Sequence, residues 1–157
     1  MKIIKLAFIS IFVVFVIITA ISLMFPSNVR ISKATNLPNH KDSVFALVKN
    51  HANWEKWNPV YQDSALKQQW EHLQITSIAN TDSNYVLQLQ QEGRKPVISG
   101  WQIYHYPSSD SLTLQWYMDF KLSWYPWEKF SSMLYEKTYG RMMEQGLTNI
   151  KGLLNKE

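Results

Sequence analysis

The chain has 157 residues, with 16 Lys and Arg against 12 Asp and Glu, a net charge of +4 and no Cys. A disulfide framework, a thiolate nucleophile, a Cys-based metal site and a lipoprotein anchor are thereby excluded. Lys2 and Lys5 are the only charged side chains before residue 26, so the remainder holds 14 basic and 12 acidic groups, and a net +2 without a basic stripe is not a nucleic-acid-binding surface.

Leu6 to Phe25 run twenty positions without a charge, Gly or Pro. As a helix this spans about 30 Å, the hydrocarbon thickness of a bilayer. The segment reads as a retained single-pass anchor, residues 1–25, ahead of one domain, residues 26–157. A cleaved signal peptide, ending at Ala20-Ile21-Ser22, is the alternative, although an h-region is usually shorter, about 7–15 residues. Basic residues before the span (Lys2, Lys5 and the amino terminus) nearly balance Arg30 and Lys33 after it, with a lean toward a cytoplasmic N-terminus and an extracytoplasmic domain. Seven Trp, eight Tyr and seven Phe are present, and only Phe8, Phe12, Phe15 and Phe25 belong to the anchor.

Pro26-Ser27-Asn28 ends the apolar helix, and Val29 to Ser32 alternate as a short strand. Leu37-Pro38-Asn39 breaks it, with Asn39 as N-cap of a helix over about 40–50 that carries Val44, Phe45, Leu47 and Val48 at helical spacing. His51 to Asn58 forms a second short helix or turn with Trp54 and Trp57, closed by Pro59. The aromatic pair anchors that helix to the sheet; a cavity lid or contact with the lipid interface are its other uses.

The middle of the chain is β in character. Leu73 and Ile75 alternate with polar neighbours ahead of a turn at 80–84. Tyr85, Leu87 and Leu89 alternate in the next strand, and Glu92-Gly93-Arg94 is a second turn. Val97, Trp101, Ile103 and His105 share a face, with Ser99 as a polar gap. After a turn at 107–110, Leu112, Leu114, Trp116, Met118 and Phe120 face one way and Thr113, Gln115, Tyr117 and Asp119 the other. Such turns imply an antiparallel meander with one buried face. Pro126 then opens a helix that runs to about Leu154, with Glu128 in its first turn and Phe130, Met133, Leu134, Met142, Met143, Leu147 and Ile150 at threes and fours. Gly140, Gly146 and Gly152 interrupt it, at about 1 kcal/mol each relative to Ala, which points to a bend or a close approach. Trp124, Tyr125 and Trp127 read as a packed corner at the handover from sheet to helix.

The order of elements, the segment Trp54-Glu55-Lys56-Trp57-Asn58-Pro59 and the close Gln145-Gly146-Leu147-Thr148-Asn149-Ile150-Lys151-Gly152-Leu153 resemble the SRPBCC superfamily of START-like and polyketide cyclase/dehydrase-like proteins, over about residues 28–155. Residues 59–74 depart from it, lacking the Gly-rich turn and strand pair that many members show. The resemblance implies an α+β helix-grip fold: a curved antiparallel sheet wrapped on a long C-terminal helix, with a cavity between them for an apolar small molecule or lipid.

The cavity candidates are Trp101, Ile103, His105, Leu114, Trp116, Met118, Phe120, Met133 and Met143. Aromatic and flexible Met side chains suit an apolar ligand, although the same residues would make a solid core. His105 is the best polar anchor or general base, and Asp119 a second proton carrier. No HExxH motif, His/Asp/Glu cluster or Ser-His-Asp order stands out, so no metal or cofactor is expected. Three readings follow: a membrane-anchored binder without catalysis, a cyclase, dehydrase or hydrolase of the same fold, or a protein-interaction domain with a filled core.

Overall fold

A computed structural model describes residues 2–38, 41–70, 72–105 and 111–155. The expected Asn39 cap and the turn at 107–110 lie outside them. The N-terminal helix α1 (Lys2–Ser22) is long and apolar enough to cross a membrane, and its side chains are exposed along nearly its whole length. Five strands follow: β1 (Asn28–Pro38), β2 (Gln74–Asn80), β3 (Asn84–Gln90), β4 (Val97–His105) and β5 (Ser111–Lys121). They form one antiparallel sheet in the order β1-β5-β4-β3-β2.

β1 runs eleven residues, well past the four that alternation marks, because every residue from Asn28 to Pro38 finds a partner on β5. The alternation in β5 holds throughout: Leu112, Leu114, Trp116, Met118 and Phe120 are buried, and the intervening residues to Asp119 are half-buried. Gly93 supplies the β3–β4 turn with a left-handed φ of 71°, a conformation cheap for Gly alone.

Between β1 and β2 lie α2 (Lys41–Lys49), a 3-10 turn (His51–Asn53) and three short helices, α3 (Trp54–Trp57), α4 (Pro59–Gln62) and α5 (Ser64–Trp70). α3 ends at Trp57, with extended Asn58 ahead of Pro59 as expected, and Pro59 then takes the first position of a further turn, α4, where its missing N–H costs nothing. Buried Asn58 caps that turn, its Oδ1 accepting from Val60 N at 3.1 Å. The carbonyls at the end of α2 lack helical partners. Asn53 Nδ2 donates to Ala46 O (3.0 Å), Trp57 Nε1 to Leu47 O (2.9 Å) and Trp54 Nε1 to Val48 O (2.8 Å). The Trp-x-x-Trp spacing thus caps one helix while pressing both indoles into the core.

The C-terminal helix is not continuous. α6 (Pro126–Ser132) is followed by turn residues 133 and 134, a π-helical turn (Glu136–Gly140) and α7 (Arg141–Leu154). The apolar residues before and after the break therefore serve different surfaces. In α7, Met143, Leu147, Ile150 and Leu154 are buried in the core, whereas Met133 and Leu134 are each 62% exposed. Lys33 of edge strand β1 ties the break down, with Nζ 2.6 Å from Glu136 Oε1 and 2.7 Å from Glu144 Oε1. The two carboxylates hold the Lys33 ammonium above the usual lysine range.

Candidate functional site

Strand register arranges the interior face of the sheet in rows. The central row pairs Trp101 with Trp116, and Tyr85 with Trp101. The two Trp rings stack at 5.3 Å and 24°, and Trp54 and Trp57 meet them from the helical side at 5.9 and 5.5 Å. All four indoles are fully buried. Trp116 Nε1 donates to buried Ser99 Oγ at 2.9 Å, which explains the polar gap in the β4 row. Trp101 Nε1 has no hydrogen-bond partner among the described residues. Leu114 and Met143 belong to the same packed mass. The centre of the grip is therefore a plug of aromatic rings, and Trp101, Leu114, Trp116 and Met143 pack in it rather than bordering an open chamber.

Gly146 is what allows α7 to close over this plug. A Cβ there would lie 2.9 Å from Trp116 Cζ3, 3.4 Å from Pro59 Cδ and 3.5 Å from Trp57 Cε3. Asn149 adds a tie on the same helix face, donating from Nδ2 to Trp57 O at 2.9 Å.

Open space lies on either side of the plug. Toward the end where the chain arrives from α1, the next interior row joins Leu87, Ser99 and Met118, and the row beyond it pairs Leu89 with Val97 and Val97 with Phe120. Here a hollow of about 150 Å³ is lined by Trp70, Leu73, Leu89, Val97, Met118, Phe120 and Tyr139, with Gln91, Arg94 and Lys95 as its polar side chains. It adjoins a cleft of about 420 Å³ that shares Arg94, Lys95, Val97, Phe120 and Tyr139. Phe120 packs at 4.7 Å against both Tyr135, just before the π-helical turn, and Tyr139 within it. Burial pushes the Tyr139 phenol up, so it remains a neutral hydroxyl at the wall of the hollow. A space of 150 Å³ suits a benzene-sized or chain-like occupant, and it falls short of the roughly 300–1,000 Å³ of sites for drug-sized ligands.

At the opposite end, Ile103 and His105 border a separate depression of about 280 Å³ with Lys41 and Leu112. His105 is exposed there, at the end of its strand. Asp119 lies on the outer face of the sheet, held by Arg30 through two hydrogen bonds of 2.6 Å, so the two proton-carrier candidates do not converge. Of the nine cavity candidates, Met118 and Phe120 line the hollow, Ile103 and His105 the far depression, and Met133 lies in neither of these spaces and is largely exposed. Leu73, Leu89, Val97 and Tyr139 were not legible as a group. They come from four separate stretches of chain, and the one hint was the Arg94-Lys95 pair beside an apolar strand.

No family model and no curated protein matches the sequence. Solved structures do match. The di-domain ARO/CYC protein StfQ from the steffimycin biosynthetic pathway superposes with a TM-score of 0.60 at 7% identity, covering 82% of this chain, which spans about half (51%) of StfQ. An uncharacterized protein from Bacillus thuringiensis gives 0.56 at 11% identity, covering 80% of this chain and 98% of its own. A START superfamily protein from Mycobacterium smegmatis gives 0.53 at 14%, covering 81% and 97%. What is shared at such identities is architecture: the chain has the helix-grip fold, a five-stranded antiparallel sheet packed on a C-terminal helix.

Proposed function

We propose that this is a membrane-anchored, START-like member of the SRPBCC superfamily that holds an apolar small molecule or a lipid chain between its sheet and C-terminal helix, and performs no chemistry on it. α1 is the anchor, and the domain stands on the extracytoplasmic side. The observation that carries the reading is the apolar hollow beside Met118 and Phe120, at the end of the sheet nearest α1. A narrow apolar occupant fits there with its polar end toward Arg94 and Lys95, while the Trp plug bars anything as broad as a fused-ring polyketide. Separation of His105 from Asp119 argues against an enzyme that uses that pair as its proton carriers.

Native mass spectrometry of the full chain released from lipid nanodiscs tests this. An apolar adduct is expected on the native protein and is lost in Leu89→Trp or Met118→Trp, which fill the hollow. A bare mass for the native protein, with no thermal shift across a panel of apolar compounds, overturns it. That result would favour the second reading, an interaction domain without a ligand, which the filled centre of the grip supports.

A further inference from the structure

The corner between β5 and α6 exposes Trp124 (56%), Trp127 (62%), Met133 and Leu134, with Tyr125 and Phe130 at the margin of exposure. Tyr125 stacks on Trp127 at 4.7 Å and 10°, and Trp124 leans on Tyr125 at 4.8 Å, so the rings form one continuous surface rather than separate side chains. A packed corner would have buried them.

What covers this surface follows from its position. Phe130 meets Phe25, the last residue of the apolar run, edge to face at 5.6 Å. Lys129, only 2% exposed, turns inward and donates from Nζ to Phe25 O (3.1 Å), Pro26 O (2.9 Å) and Ser27 Oγ (2.9 Å). Leu122 N donates to Ser27 O at 2.7 Å. The residues that leave α1 are thus fastened to α6 and to the end of β5, not left as a loose tether. If α1 spans a bilayer, its end near Ser22 sits at the lipid–water boundary, and the clamp fixes the aromatic corner at that same depth. Trp and Tyr are the side chains enriched there, because one end of the ring is apolar and the other polar. Lys95, beside Ser123 and 3.4 Å from Glu128, adds a cation next to the corner where lipid phosphates lie.

We propose that the Trp124–Leu134 corner is a second membrane contact, seated in the interfacial zone of the bilayer that α1 crosses. It holds the domain in a fixed orientation, with the cleft by Arg94, Lys95 and Phe120 close to the lipid surface. The proposal rests on the spanning role of α1 and is independent of whether the hollow takes a ligand.

With no native Cys, single-Cys nitroxide labels report depth without background. The full chain is placed in nanodiscs of phosphatidylcholine and phosphatidylglycerol, with labels in turn at Val14→Cys, Leu134→Cys and, on a strand, Ile78→Cys. Collisions with oxygen and with a water-soluble nickel chelate are compared. The Val14 label is expected deep in lipid, the Ile78 label in water, and the Leu134 label about 5–10 Å into the headgroup and acyl boundary. Adding Trp124→Ser and Trp127→Ser is expected to raise nickel contact at Leu134 several-fold while leaving Val14 deep. Leu134 as nickel-accessible as Ile78, with Val14 deep, overturns the proposal. Dipolar coupling between Leu134 labels that disappears at one chain per disc, together with nickel access, would assign the surface to a second copy instead. A Val14 label in water would remove both the span and the proposal.

Discussion

Gly146 and Gly152 sit on the same helix, six residues apart, and should respond in opposite directions to a single added methyl group. In a helix interior, Gly→Ala gains about 1 kcal/mol through lower backbone entropy in the unfolded chain. At Gly152 nothing lies within 4 Å of the new Cβ, so that gain should appear nearly in full. At Gly146 the Cβ arrives 2.9 Å from Trp116 Cζ3. The ring cannot retreat: Trp101 stacks on it at 5.3 Å, Trp57 abuts it at 5.5 Å, and its N–H is committed to Ser99. Overpacking of this kind costs about 1–3 kcal/mol, which outweighs the propensity gain and leaves Gly146→Ala destabilising by up to about 2 kcal/mol. Guanidinium unfolding of the full chain in mild detergent, followed by Trp fluorescence, reads both variants. A compensating Trp116→Leu should restore part of the loss, with a coupling energy of about 0.5–3 kcal/mol. Equal stabilisation at the two positions would refute the account of a helix resting directly on a Trp plug.

Trp101→Phe should cost less stability than Trp116→Phe in the same assay, although the two rings are equally buried. The second change strands the Ser99 hydroxyl, worth about 1–3 kcal/mol, whereas Trp101 Nε1 has no partner to lose among the described residues. Lys129→Met should destabilise by about 1–3 kcal/mol and speed proteolysis and hydrogen exchange around residues 25–27, since three acceptors lose an ammonium donor. His51, exposed as a residue but partly desolvated against the Trp54 ring at 4.4 Å and the Tyr85 hydroxyl at 3.3 Å, is held below the ordinary 6.5. The unfolded chain therefore takes up this proton first as pH falls. The native state loses stability from about pH 6.5 downward to the lowered pKa and is insensitive to this group above it. Denaturation midpoints from pH 8 to pH 5 should show that slope, and His51→Gln should flatten it.

The sheet was legible because its evidence is local. Alternation over 112–120 alone marks β5, and one buried face follows from it. Edge strand β1 was less so: Ala34, Thr35 and Asn36 carry no apolar rhythm, and their extended shape is imposed by β5. The terminal helix misled for a related reason. Apolar residues from Phe130 to Leu154 keep helical spacing, yet a break at 133–140 rotates the first part onto a different surface, so Met133 and Met143 part company. Residues 59–74 lack the Gly-rich turn and strand pair of the family, and two short helices stand there instead, α4 on the Asn58 cap and Pro59, and α5 behind Asp63, whose Oδ1 accepts from Leu66 N.

Cavity residues were the hardest to read. A tryptophan that walls a chamber and one that fills it obey the same alternation. What separates them is the partner across the interior, here Trp54 and Trp57, more than forty residues away in the chain. The corner at Trp124 and Trp127 was misjudged on the same logic: dense aromatics suggest burial, yet nothing in the sequence shows that no other element of the domain covers them.

Photolabelling bears most directly on the claim that an apolar occupant enters the hollow at the α1 end. The full chain would be held in nanodiscs made with a phospholipid carrying a diazirine on its acyl chain, irradiated and digested. The account predicts labelled peptides containing Leu89, Met118 and Tyr139, in addition to those from α1. Labelling confined to α1 and the 124–134 corner, with the hollow untouched, would contradict it.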